Sequence, residues 1–148
     1  MTDNRAVRFA AAAATLAAAH HVGDFMASTD TQAERKPCQS DRAVECSEAE
    51  SWRALAGHVA SYHAVQVAAL VAADRALGLR LSPRRVAAGV ALSAVTHAVI
   101  DRRWPVRLWL DHTGSTGFKK HGGAMHVDQA MHHVCLWAAA LVIAGGPR

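Results

Sequence analysis

The chain has 148 residues, 51% of them hydrophobic and 19% charged, with a formal net charge of +4. The length allows a single domain. The basic residues are scattered as Arg84-Arg85, Arg102-Arg103 and Lys119-Lys120 with no recognition motif around them, which argues against nucleic acid as a partner and reads as charged helix ends or membrane-surface anchors.

The first segment, about 5–26, places Arg5 and Arg8 before the apolar run Phe9 to Ala19. Its Ala17-Ala18-Ala19 resembles the cleavage site of a signal peptide. The helical pattern nevertheless continues unbroken into His20, His21 and Asp24, so the expectation is a retained helix. A polar loop, 27–51, follows. It contains Cys38 and Cys46, whose single C-x7-C spacing is a weak zinc signal and leaves a loop disulfide or free thiols open.

The second helix is expected at about 52–77, with no charged residue from Leu55 to Ala73. A short connection makes the third helix its antiparallel neighbour. Ser82-Pro83 supplies an N-cap and first helical residue for that third helix, about 83–103, which ends before Pro105. The second loop, 104–123, is basic and contains glycine. Arg102 to Leu110, with Trp104 and Trp109, reads as a stretch lying along a membrane surface. The fourth helix, about 124–144, carries Cys135 as a packing residue and stops at Gly145-Gly146-Pro147. Met26, Met125 and Met131 are expected to pack.

The expected fold is therefore all-α: a four-helix up-down bundle of transmembrane length. Alanine, glycine, serine and threonine suit close helix packing in a bilayer. Trp52, Trp104, Trp109 and the arginines beside them sit at helix ends, where interfacial anchors belong. The basic residues divide almost evenly between the two sides, so orientation stays open.

Function rests on the histidines, ten in all. His20-x3-Asp24, His97-x3-Asp101 and Asp128-x3-His132 each put an imidazole and a carboxylate on one helical face inside an apolar stretch. In an up-down bundle these three pairs and His58 fall at one end, the end bearing both long loops. Imidazole plus carboxylate is a ligand set for a divalent transition metal, zinc first, with manganese or iron as alternatives. The candidate metal residues are His20, Asp24, His58, His97, Asp101, Asp128 and His132. Seven exceed what one zinc takes, so either two metals bind or some residues orient the ligands. His58 and Asp128 are the candidate catalytic groups. His21, His63, His112, His121, His126 and His133 are expected to be surface or supporting residues. Tyr62 and Gln66 share the His58 face, and Gln129 is expected to hydrogen-bond within the site.

These motifs, in this order, resemble a family of small bacterial and phage membrane proteins classed as a domain of unknown function. They are His20-His21-Val22-Gly23-Asp24-Phe25, then His58, then His97-Ala98-Val99-Ile100-Asp101, then Asp128-Gln129-Ala130-Met131-His132. One position departs: where the family pattern has a glutamine after Asp24-Phe25, this chain reads Met26-Ala27-Ser28, and Gln32 is the nearest substitute. The resemblance implies an integral membrane protein, of a bacterial-type inner membrane, and supports the His/Asp site without naming a reaction. A looser likeness is to bacterial membrane proteins described as metal-dependent hydrolases.

The functional expectation is a membrane-embedded metal-binding protein, a metal-dependent hydrolase acting on a lipid-like or membrane-adjacent substrate. The alternatives are a non-enzymatic ion- or proton-binding transporter, a soluble helical metal-binding bundle, and a structural protein held by its His/Asp pairs. The expected partners are the lipid bilayer and, as an open alternative, further copies of the chain.

Overall fold

The computed structural model describes residues 4–37 and 46–145. Among these the secondary structure is helical, with four long helices and three short ones. α1 is Arg5–His21, continued by a π-helical turn, Val22–Met26. The long helices α3 (Glu48–Leu77), α4 (Pro83–Asp101) and α7 (Gly123–Ile143) complete the bundle. α1 packs on α3 and α7, and α4 packs on α3 and α7, which arranges the four around a square with alternating direction.

The segments between them are structured. α2, Asp30–Arg35, and α3 each begin with a capping box, Thr29 with Gln32 and Ser47 with Glu50. The Ser47 cap starts α3 four residues before the expected boundary at residue 52. The second connection holds α5 (Trp104–His112) and α6 (Thr116–Lys120). The tight link between α3 and α4 is closed by Gly78 in the left-handed conformation, φ 60°, and by Asp74 Oδ1 accepting from the Leu81 amide at 2.8 Å.

The core divides by depth. Away from the long loops, Ala12, Leu16, Leu70, Leu79, Leu81, Leu136, Ala139, Ala140 and Ile143 form an apolar cluster. Gly89 lets α4 approach α7 there, since a Cβ at that position would lie 2.5 Å from Ile143 Cγ1. A smaller cluster, Ile100, Val106 and Leu110, seats α5 against α7, with Met131 and Cys135 packed on it. Met26 and Met125 do not pack as expected; they are 79% and 57% exposed, at the end that holds the polar residues. The pairing of Cys38 with Cys46 lies outside the described residues.

The only described helix long and apolar enough to cross a membrane is α3, with a mean hydropathy of 1.3. Arg84 and Arg85 in α4, and Asp128, Gln129, His132 and His133 in α7, lower the averages of those helices. Even so, 9–23, 54–73, 86–100 and 129–145 contain no Asp, Glu, Lys or Arg. Val67, Val71, Val95, Val99, Val134 and Trp137 are exposed on the outer faces of this charge-free belt.

Candidate metal centre

Four side chains from three elements converge at the end of the bundle that carries the long connections. Asp24, His58, His97 and Asp101 each offer one ligand atom, and those atoms all lie within 4.8 Å of one another. His58 Nε2 and His97 Nε2 are 3.0 Å apart. His58 Nε2 is 3.1 Å from Asp24 Oδ1 and 3.3 Å from Asp101 Oδ2, and His97 Nε2 is 3.1 Å from Asp101 Oδ2. One imidazole nitrogen carries one proton or one lone pair, so it cannot hydrogen-bond to all of these neighbours together. Lone pairs from two rings and two carboxylates aimed at one point are the arrangement a cation stabilises. His58 Nδ1 and His97 Nδ1 are buried without hydrogen-bond partners, so nothing outside the cluster dictates which ring nitrogen is protonated.

Local structure sets these positions. His97 and Asp101 lie one turn apart near the end of α4 and point the same way. No hydrogen bond or ion pair joins His20 to Asp24, and Asp24 lies inside the π turn. Its Ala27 amide reaches back five residues to Val22 O at 2.9 Å, and in this wider turn four residues no longer bring a side chain back to the same face. The turn also needs Gly23, where a Cβ would sit 2.8 Å from Tyr62 Cδ2.

His20 accordingly stands behind the cluster with both ring nitrogens engaged: Nδ1 with the Tyr62 hydroxyl at 2.8 Å and Nε2 with Gln129 Oε1 at 2.9 Å. Because Gln129 Oε1 only accepts, Nε2 carries the ring proton and Nδ1 accepts from Tyr62. Gln129 Nε2 in turn donates to Asp24 Oδ2 and Asp128 Oδ2, each at 3.3 Å. The chain continues inward as Gln66 Nε2 donates to Tyr62 at 2.9 Å and Ser93 Oγ to Gln66 Oε1 at 3.2 Å. It ends at His63, whose Nε2 is 3.1 Å from Ser93 Oγ.

Lys36 was not singled out by sequence reasoning, yet it occupies the centre. Its Nζ lies 3.3 Å from Asp24 Oδ1, 3.1 Å from Asp101 Oδ2 and 3.1 Å from His58 Nε2. Its backbone is held from two sides. Ser51 Oγ and Arg102 Nη1 both donate to Lys36 O, Arg102 Nη1 also reaches Ser51 Oγ at 2.7 Å, and the Arg102 guanidinium stacks over Trp52. Burial alone would raise the pKa of the Asp24 carboxyl. The hydrogen bond from His58 and the positive charge of Lys36 outweigh burial and hold Asp24 well below the ordinary carboxylate range.

Asp128 and His132 flank the four-residue group. His132 Nε2 is 3.8 Å from Asp101 Oδ1, and His132 Nδ1 is 3.5 Å from Asp128 Oδ2. A cavity of about 180 Å³ opens from the cluster, lined by Asp24, Asp101, Asp128, Lys36 and Arg103 among others. Arg103 at its edge has a left-handed backbone, φ 63°, between α4 and α5.

Comparison with family models, with curated proteins and with solved structures finds no match. The site therefore rests on its own geometry. That geometry brings Asp24, His58, His97 and Asp101 together, places Asp128 and His132 beside them, and sets His20 one residue behind, joined through Gln129. Gln32, the substitute glutamine, is not in the site; its Oε1 accepts from the Thr29 amide at 3.0 Å. His112 Nδ1 and His121 Nδ1 bond to main-chain oxygens within their own short helices. The shared positions of Tyr62, Gln66 and Gln129 were readable from spacing. Lys36 was not, because it lies after α2 in a segment without periodic signal.

Proposed function

We propose that this chain is a membrane-embedded metal-binding protein whose polar end hydrolyses a lipid-like or membrane-adjacent substrate. The observation that carries the reading is the crowding of His58 Nε2, His97 Nε2, Asp24 Oδ1 and Asp101 Oδ2 within 4.8 Å. A nitrogen and oxygen donor set of this kind suits zinc, manganese or iron. A bound ion with an open position would acidify a coordinated water. Asp128 is the candidate general base, because its Oδ1 is buried, lacks a hydrogen-bond partner and belongs to a residue lining the cavity. His58, the other residue expected to be catalytic, belongs to the donor group, so its proposed role is ligand.

The bilayer is proposed as the surroundings of the charge-free belt. Asp24, Asp101 and Asp128 fall just outside that belt, so the site would sit at one membrane face. α5 supports this placement: Val106 and Leu110 pack inward while Trp104, Leu108 and Trp109 are exposed beside Arg103 and Arg107. The family resemblance in the motif order points the same way. Transport is less well supported. The polar chain ends at His63 and Ser93, and the cluster of Ala12, Leu16, Leu70, Leu136 and Ile143 beyond it is apolar.

The test is metal content by elemental mass spectrometry on detergent-purified protein. A transition metal in the wild type, lost in His97→Ala and Asp101→Ala variants that keep their helical circular dichroism, supports the reading. Equal metal content in all three proteins removes it.

A further inference from the structure

We propose that the site takes two cations, with Asp101 bridging them. The inference rests on the metal reading above and extends it to a second position that His132, Asp101 and Asp128 would supply.

His132 carries the argument. Its Nδ1 lies 2.9 Å from the main-chain oxygen of Asp128, which can only accept, so Nδ1 bears the proton. Nε2 is therefore the ring nitrogen that can offer a lone pair to a metal. That atom is buried and has no hydrogen-bond partner, in a residue 2% exposed. A buried polar atom without a partner is costly unless something binds it. What it faces is another acceptor, Asp101 Oδ1, at 3.8 Å. A proton on Nε2 or a metal cation between the two atoms satisfies both, and a metal would take the place of that proton. Two donors on one tetrahedral zinc lie roughly 3.4 Å apart, so only a small closure is required.

Asp101 is suited to sharing. Its Oδ2 belongs to the first group, 3.1 Å from His97 Nε2 and 3.3 Å from His58 Nε2. Its Oδ1 is the atom turned toward His132. Asp128 completes the second set, and with two cations bound its role is ligand in place of general base: its Oδ1 is buried and unpartnered, while Oδ2 accepts from Gln129. This outer arrangement is the usual one for metal-binding histidines, with the far ring nitrogen fixed by a main-chain oxygen. Both positions border the same cavity, where Lys36 and Arg103 add positive charge. Paired ions bridged by a carboxylate clamp the attacking and leaving oxygens of a phosphoryl transfer, so the substrate class this geometry favours is a phosphate ester.

The experiment is manganese loading of the detergent-purified full chain, read by elemental analysis and electron paramagnetic resonance. The wild type is expected to hold two manganese ions per chain with an exchange-coupled signal. His132→Ala and His132→Gln are each expected to hold one, with the signal of an isolated ion. One ion in the wild type, with an isolated-ion signal, overturns the second position and leaves the first standing. No manganese in the wild type, after zinc and iron have also failed to bind, overturns both readings. The wild-type stoichiometry decides the matter even if a variant misfolds.

Discussion

The Lys36 ammonium lies 3.1 Å from Asp101 Oδ2, in the place where four other side chains aim their donor atoms. It acts as an internal cation. It offsets the repulsion between Asp24 and Asp101, and a metal entering the cluster must displace it. Lys36→Met should therefore destabilise the metal-free protein by about 3–5 kcal/mol, the cost of leaving buried charge unpaired. The metal-loaded protein should lose much less, and metal affinity should rise. Thermal unfolding with and without metal measures the difference. Equal losses in both states would mean that Lys36 only packs.

Gln129 links three groups: it accepts from His20, and it donates to Asp24 and Asp128. Gln129→Leu removes these bonds without removing a proposed ligand. Metal affinity should fall roughly 10- to 100-fold, as for other partners of metal-binding side chains. His20→Phe should do the same more weakly, since it acts only through Gln129 and Tyr62. Competition with a fluorescent chelator gives the affinities. A His20 variant that loses metal as completely as His97→Ala would make His20 a ligand after all.

Gly23 joins the π turn to α3. A Cβ there would meet Tyr62 Cδ2 at 2.8 Å and Tyr62 Cα at 3.3 Å, and the second of these atoms is backbone. Gly23→Ala should cost about 1–3 kcal/mol through this overpacking. It should also displace Asp24, the next residue, and weaken metal binding. Chelator competition on the folded variant checks the coupling. Wild-type affinity in a destabilised protein would show that the turn does not position Asp24.

The legible part of this molecule is whatever regular helix geometry controls. The His97–Asp101 pair, the His58–Tyr62–Gln66 face and the gathering of polar groups at one end follow from a spacing of four and from alternating helix direction. The His20–Asp24 pair shows the limit, because a spacing of four implies a shared face only while the turns remain α-helical. α2 and the start of α3 carried a signal that went unused, the Thr29-x2-Gln32 and Ser47-x2-Glu50 capping boxes. Lys36 carried none. Its place depends on Ser51 and Arg102 grasping its main-chain oxygen, a tertiary contact with no local pattern.

The Asp24 carboxyl gives a pH dependence of known sign. Its pKa in the folded chain lies below the ordinary value near 4, because the His58 hydrogen bond and Lys36 overcome the effect of burial. A carboxylate depressed in this way stabilises the folded state fully above its unfolded value, and that contribution is lost as pH falls through the folded one. In metal-free protein, the stability difference between wild type and Asp24→Asn should therefore be flat from about pH 7 to pH 5 and shrink below about pH 4. Unfolding at a series of pH values, in the presence of a chelator, measures it. A difference that grows as the pH falls would mean that Asp24 is protonated in the folded chain, and would remove the ion pair with Lys36 from this account.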